Sequence, residues 1–475
     1  MTPSLTASET LRPLLARLRQ ARQETDAFFT HVLPEALYDR PIPERHRLIF
    51  YLGHLEAFDW NLLGAGALGL ASHHPALDKL FSFGIDPTHG NLPTDVPAEW
   101  PREAQIRAYN LQCRSRIDAA LLDQQESRQS PPQVAGGALL HVAIEHRLMH
   151  AETLAYLLHQ LPGDKKRGDE SSAKAPARLP APAPQMVSIP RGIATLGQPA
   201  LAGQPAAPGR NGHAYSSAAS PGAFPFGWDN EFDLALEDVP EFAVDVFPVT
   251  NSQFLEFVRA GAYGQSSLWS PEDWEWKQSL GLRHPFFWER VGDEWFWRGM
   301  FRRFPLPPDW PVYVSHAEAS AYARWAGKSL PSEAQWHRAA YGTPEGTERL
   351  YPWGDAEPVP RIRSADGAAG SRGNFGCARW DPESVAAHPA GASAFGVQDL
   401  LGNGWEWTCT PFAPLPGFRP FPFYPGYSAD FFDGRHFVMK GGSPRTAACL
   451  LRRPFRNWFQ PRYPYVYAKF RCVEA

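Results

Sequence analysis

What most constrains this chain is an abrupt change of pattern near residue 163. Upstream, four segments carry apolar residues at three- and four-residue intervals: LRPLLARLRQARQETDAFF, HRLIFYLGHLEAFDWNLLGAGAL, EAQIRAYNLQCRSRIDAALL and GALLHVAIEHRLMHAETLAYLLHQL. That interval is the period of a helix with one buried face. Separated by loops that contain proline and glycine, the four segments predict an antiparallel four-helix bundle over residues 1–162. Residues 163–185 are charged and then rich in Ala and Pro, and they read as a flexible linker that cannot bury enough surface to order itself. From 186 to 475 the texture is short and punctuated by glycine and aromatic residues, as in FGWDN, YPWGD, GNFG and LGNGWEWT. MVSIPRGIATLG reads as a strand pair, and a helix is expected to start after Pro331-Ser332-Glu333. The second half therefore predicts an α+β domain of few helices, short strands and long ordered loops.

Composition supports that reading. The 475 residues are too many for one ordinary core. With 48 Pro, 17 Trp and 30 Phe, irregular backbone is expected to be pinned by aromatic packing. A net charge of −4 gives no electrostatic footprint for nucleic acid. No apolar run reaches the roughly 18 residues of a membrane span. The first twenty residues read as a capped amphipathic helix without the apolar core of a signal peptide, which predicts a cytoplasmic protein. The five cysteines are scattered and never spaced as CxxC, which argues against a disulfide framework and a thiolate zinc site.

The chemistry-bearing pattern is in the helical half. EHRLMHAET places His146 and His150 four residues apart, one turn along a single helix face. His54 lies in the second helical segment, inside an apolar stripe. Inward-facing residues of different helices can converge on one ion. At about 100° per residue, His141 and His159 point away from the pair, about 140° and 180° round the helix, and are expected outside the site. Three neutral imidazoles suit Zn, Cu, Fe and Ni, so the ligand type alone leaves the metal open. Glu145 and Glu152 are candidate partners for the ring N–H groups.

FPVTNSQFLEFV, YPWGD, VQDLLGNGWEWT, KGGSPRT and FRNWFQPRYPYVYAKFRC resemble the formylglycine-generating-enzyme-type (sulfatase-modifying-factor) domain across residues 186–475. That resemblance implies a variant of the C-type-lectin-like fold. Formylglycine-generating enzymes hold copper on a cysteine pair near the C-terminus, whereas here Cys472 stands five residues after Tyr467, so copper chemistry is not expected. The helical half resembles the DinB-like bundle that precedes this domain in the ergothioneine-biosynthesis sulfoxide synthases. Their iron is held by one histidine from an early helix and an HxxxH pair from a later one, a pattern matched by His54, His146 and His150.

The resemblance implies that Fe(II) and O₂ join a cysteine-type thiol to C2 of Nα-trimethylhistidine (hercynine), giving a sulfoxide. O₂ accepts four electrons; C–S bond formation supplies two and oxidation of sulfur supplies two, so no external reductant is needed. Trimethylhistidine, the thiol and O₂ are the expected partners. In that family a tyrosine of the second domain donates a proton, which points to Tyr424 or Tyr427. The FRNW motif assigns Asn457 and Trp458 to the trimethylhistidine pocket. Members that use γ-glutamylcysteine commonly follow FRNW with an acidic residue and an arginine four positions on, where this chain has Phe459 and Tyr463. Met149 replaces a frequent glutamine. These departures favour free cysteine or another sulfur or selenium donor, with Arg462, Arg456 and Arg107 as carboxylate anchors by residue type. Alternatives are a selenoneine or 5-histidylcysteine-type synthase on the same scaffold, or a non-catalytic ligand-binding protein. Asp399–Asn403 is a candidate for a structural Ca²⁺, and Gly402, Gly404, Gly441 and Gly442 are expected at positive φ.

Overall fold

The helical periodicity and the aromatic punctuation fold as two separate units, Met1–Ala173 and Lys174–Ala475, in a computed structural model. The structure describes residues 7–82, 94–127, 137–168, 176–199, 224–359 and 371–474.

In the first unit the four periodic segments form four long helices: α1 (Ala7–Phe29), α2 (Leu48–Asp59), α4 (Glu103–Ser127) and α5 (Ala138–Gln160). A short α3 (Pro75–Leu80) starts with proline at its first turn and is capped by the His74 ring, which accepts from the Leu77 amide. Helix α2 is apolar on every side, LIFYLGHLEAFD, and it is correspondingly buried over Leu48–Ala57. It packs against α4 and α5, while α1 packs against α5 and α4. Beyond Asp59 the chain continues as a π-helical stretch, Trp60–Ala67. Order extends a few residues into the segment read as linker. Leu33 N–H donates to Lys165 O at 3.2 Å and Arg167 N–H to His31 O at 2.8 Å, so backbone pairing ties this stretch to residues 31–33.

In the second unit β1 (Met186–Ile189) and β2 (Gly192–Leu196) occupy MVSIPRGIATLG, but they do not pair with each other. β1 pairs antiparallel with β4 (Phe242–Asp245), and β2 with β3 (Ala235–Val239). Pro190, which lacks an N–H, sits between the two strands and sends the chain to a second sheet. β5 (Trp288–Val291), β6 (Glu294–Arg298) and β7 (Arg303–Pro305) form a three-stranded sheet. The longest strands, β8 (Gly404–Pro411) and β9 (Phe437–Gly442), form a sheet with β10 (Asn457–Phe459) and β11 (Ala468–Lys469), and β12 (Val473–Glu474) closes the sheet of β1 and β4. Four helices complete the described part: α6 (Asn251–Arg259), α7 (Pro271–Ser279), α8 (His316–Trp325) and α9 (Glu333–Tyr341). α9 begins where the sequence places it, with Ser332 and Gln335 forming a capping box.

Buried ion pairs hold the loops. Arg471 grips Glu406 with two hydrogen bonds of 2.7 Å and donates to the carbonyls of Asp245, Val246 and Gln398. The stretch read as a calcium candidate is organised differently. The buried Lys469 ammonium donates to the Asp399 carboxylate at 2.8 Å and to the Gly402 carbonyl at 3.0 Å, and Asn403 Nδ2 donates to Asp399 at 3.1 Å. In this stretch the cationic partner of Asp399 is therefore the Lys469 ammonium. Gly402, Gly404 and Gly441 adopt positive φ, as anticipated. Gly442 does not, and is required instead by close packing, since a Cβ there would lie 2.5 Å from Leu451.

Candidate metal centre

His54 on α2 and His146 and His150 on α5 are all buried, and one ligand nitrogen from each lies within 4.8 Å of the others. They form the only such group of three among the described residues. The ring centroids of His54 are 5.4 Å from His146 and 5.0 Å from His150, and Nε2 of His146 faces Nε2 of His150 at 3.1 Å. The one-turn spacing on α5 supplies the pair, and the all-round burial of α2 brings the third ring to it. His141 and His159 lie outside this group.

The partner that orients His54 is one the sequence did not reveal. Its Nδ1 donates to the Phe81 carbonyl at 2.7 Å, which fixes the tautomer and leaves the lone pair on Nε2. Nε2 is buried and has no hydrogen-bond partner. Gly53 makes this contact possible, because a Cβ there would lie 2.5 Å from the Phe81 ring. Phe58 stacks on His146 at 3.5 Å between centroids, and Phe50 stacks on His54 at 4.9 Å. These rings fix the imidazole planes.

Electrostatics favours ligation. Burial pushes His54 down to about 4 and holds His146 and His150 well below the usual histidine range, so all three are neutral at pH 7. Neutral imidazole is the ligating form, and a buried nitrogen acceptor with no donor to meet fits a metal ion. The donor set therefore suits a divalent transition metal. Next to the site lies a buried charge network. Arg147 pairs with Asp59 at 2.8 Å and Glu56 at 2.9 Å, and Arg114 pairs with Glu56 at 2.6 Å. Burial raises the Glu56 carboxyl, but Arg147 and Arg114 outweigh it and hold the group at about 2.

In the second unit, the loop residues assigned from the sequence gather into an aromatic cluster. Trp458 stacks on Phe412 at 4.2 Å and meets the edge of Tyr427 at 5.4 Å, and Tyr424 and Tyr427 are 5.6 Å apart. Tyr427 is buried and stacked on Trp228 at 3.9 Å, whereas Tyr424 is half-buried. Asp229, which the sequence reading did not single out, anchors this loop by accepting from the Ser428 hydroxyl. Burial pushes Asp229 up to about 6, against hydrogen bonds from Ser428 and from the backbone at Phe421 and Asn230. Asn457 turns its Oδ1 onto the Trp458 amide at 2.9 Å. Phe459 and Tyr463 stack at 5.4 Å between ring centroids.

The arginines offered as anchors all have partners. Arg456 makes a two-pronged buried pair with Glu333, Arg107 pairs with Glu103 along α4, and Arg462 Nε donates to Asp273 at 2.8 Å. Met149 is half-buried one residue before His150. Among the described residues, no helix is long and apolar enough to cross a membrane.

Residues 172–475 match the sulfatase-modifying factor enzyme 1-like domain. The hercynine oxygenase of Mycolicibacterium thermoresistibile is 33% identical over 438 residues, covering 90% of this chain and 86% of that protein. The hercynine oxygenase of Mycolicibacterium smegmatis is 34% identical over 349 residues, 72% of this chain and 73% of that protein. The one from Mycobacterium tuberculosis is 40% identical over 252 residues, 52% of this chain and 56% of that protein. With matches of that extent beside the three-histidine cluster, the chain belongs to the hercynine oxygenase family and carries that family's sulfatase-modifying-factor domain.

Proposed function

We propose that this protein is a non-haem Fe(II)- and O₂-dependent sulfoxide synthase that joins a cysteine-type thiol to C2 of trimethylhistidine in ergothioneine biosynthesis. The observation that carries the reading is the meeting of three buried, neutral imidazoles in a chain of the hercynine oxygenase family. Its first unit is assigned to the DinB-like four-helix bundles and its second to the C-type-lectin-like variants.

His54, His146 and His150 would hold the iron, which when bound supplies the redox chemistry that lets O₂ take up four electrons from the thiol and the imidazole carbon. The Phe81 carbonyl keeps His54 in the ligating tautomer. Tyr424 is the proposed proton donor because it is less buried than Tyr427, which is stacked on Trp228 and forms the wall behind it. Trp458 offers a π-face to the trimethylammonium group, and Asn457 a polar contact. Arg462 uses Nε for Asp273, and its terminal nitrogens are proposed to meet a substrate carboxylate. In the second unit, Phe459 and Tyr463 are proposed to meet the thiol donor with an uncharged stacked surface, which favours free cysteine over γ-glutamylcysteine, and in the first unit Met149 is proposed as a donor contact beside His150. The same stacked pair supports a second reading, a selenium donor on this scaffold, since it supplies no charge for a γ-glutamyl group.

The test is mass spectrometry of products from Fe(II), O₂ and trimethylhistidine, with cysteine, γ-glutamylcysteine and a selenosugar in competition and His146→Ala as control. A sulfoxide or selenium adduct formed by the wild type and lost in the control supports the proposal. A metal-loaded protein that neither consumes O₂ nor couples any donor removes it.

A further inference from the structure

We propose that Arg147 is a positioning residue for the metal ligands: it fixes the register of α5 against α2 and so sets the spacing between His54 and the His146–His150 pair. The inference rests on the three-histidine reading and extends it to a side chain that carries no ligand atom.

Arg147 follows His146 directly and is buried. Its guanidinium reaches α2 immediately past His54. Nη2 donates to the Leu55 carbonyl at 2.9 Å and to Asp59 Oδ2 at 2.8 Å, while Nη1 pairs with Glu56 Oε1 at 2.9 Å. Nη1 also donates to Thr25 Oγ1 of α1 at 3.2 Å. One planar fork from the residue beside a ligand on α5 therefore grips the turn of α2 that begins one residue after the other ligand. The carboxylates it holds are themselves held from the remaining helices. Arg114 of α4 pairs with Glu56 at 2.6 Å and with Asp26 at 2.6 Å. Arg22 of α1 lies 3.7 Å from Asp59 and 2.7 Å from Asp118. All four long helices are thereby referenced to the same two acids.

Two physical arguments favour positioning over simple stabilisation. A buried ion pair gives little net stability compared with apolar residues of the same shape, and its best-attested use is to select one register. A metal site also demands register: sliding α5 by one residue moves a ligand about 1.5 Å along the axis and about 100° around it, against a tolerance near 0.2 Å in ligand distances. Apolar packing of α2 does not supply that precision alone, because the burial of apolar surface is non-directional. The fork does, through three different acceptors at fixed angles.

The experiment measures metal binding, not turnover. Fe(II) affinity is determined anaerobically by competition with a chromophoric chelator, and the ligand field is read from the absorption spectrum of the Co(II)-substituted protein. Two variants are compared with the wild type. Arg147→Lys keeps the charge but not the planar fork. The triple variant Arg147→Met, Glu56→Gln, Asp59→Asn removes the charges together, so that no buried ion is left unpaired. Both are expected to bind Fe(II) about 10- to 100-fold more weakly, the range seen when the groups that orient ligands are lost. They are also expected to show a shifted Co(II) spectrum while keeping wild-type helical circular dichroism. Wild-type affinity and an unchanged spectrum in the folded triple variant or in Arg147→Lys would overturn the inference. A wild-type protein that binds no Fe(II) or Co(II), or binds them equally after His146→Ala, would remove the metal reading and this inference with it.

Discussion

The Phe81 carbonyl accepts a hydrogen bond from Nδ1 of His54 at 2.7 Å, and the Phe81 ring lies where a side chain at residue 53 would have to go. A backbone group from the short-helix region thus decides which nitrogen of a buried imidazole is left for a metal. Gly53→Ala would place a Cβ 2.5 Å from that ring, and Phe81 is fully buried, with no room to yield. The expected outcome is a loss of about 1–3 kcal/mol in stability from overpacking. Fe(II) affinity should fall about 10- to 100-fold as the His54 orientation is released. Chemical denaturation of the metal-free protein and anaerobic metal titration check the two parts separately.

Tyr424 and Tyr427 are neighbours in space but differ in burial, and substitution should separate them. Tyr424→Phe is expected to leave the fold intact and to divert turnover from C–S coupling toward thiol dioxygenation, with at least a tenfold change in product ratio, the lower end of general-acid contributions of about 10²–10⁴ allowing for partial replacement by water. Tyr427→Phe keeps the ring stacked on Trp228 and is expected to change that ratio far less. Quantifying sulfoxide against sulfinic acid by mass spectrometry tells them apart.

Asp229 gives a pH dependence with a defined sign. Its folded pKa of about 6 lies above the ordinary value of 3.8, because burial penalises the carboxylate. The folded state therefore binds the extra proton between these values. The resulting stability is fully present below about 3.8 and is lost as pH rises through about 6. Asp229→Asn should remove this component. The difference in unfolding free energy between wild type and variant should change by at most about 3 kcal/mol from pH 4 to pH 7.5, with the variant gaining relative to wild type at the higher pH. Urea titrations at the two pH values measure it. A difference that does not vary with pH would show that Asp229 carries no such shift.

Lys469 takes the place of a structural cation beside Asp399. Lys469→Met would leave that buried carboxylate without its partner and is expected to cost about 3–5 kcal/mol. Calcium should not stabilise the wild type, so thermal melts with excess Ca²⁺ and with chelator are expected to coincide, whereas a calcium-dependent rise in Tm would contradict the assignment.

The stacked Phe459–Tyr463 pair makes donor choice open to redesign. Phe459→Asp with Tyr463→Arg replaces the uncharged pair with an ionic one that can meet the charges of a γ-glutamyl group. The double variant should increase the share of the γ-glutamyl product at least tenfold against cysteine, about 1.4 kcal/mol of discrimination, the scale of one charge-assisted hydrogen bond. Competition assays with both thiols in one vessel provide the ratio, and an unchanged ratio would place the donor pocket elsewhere.

Local pattern alone makes several features legible in the sequence. The four periodic helices, the start of α9 at Ser332 and the one-turn spacing of His146 and His150 all depend on interactions within a few residues, and periodicity and capping report those directly. Family motifs extended that reach to the domain type.

Tertiary structure decided the rest, because the deciding contacts join residues distant in sequence and the partners are generic types. His54 meets its pair only because α2 is buried on every side, and the carbonyl that orients it comes from Phe81, where no side-chain identity marks a hydrogen bond. By residue type Arg456 suits a substrate carboxylate and Asp399 a cation, but the fold places Glu333 beside the first and Lys469 beside the second. β1 and β2 are adjacent in sequence, yet each pairs with a later strand. In each case the sequence determined which groups were chemically capable, and long-range packing selected the partner that satisfied each buried polar group.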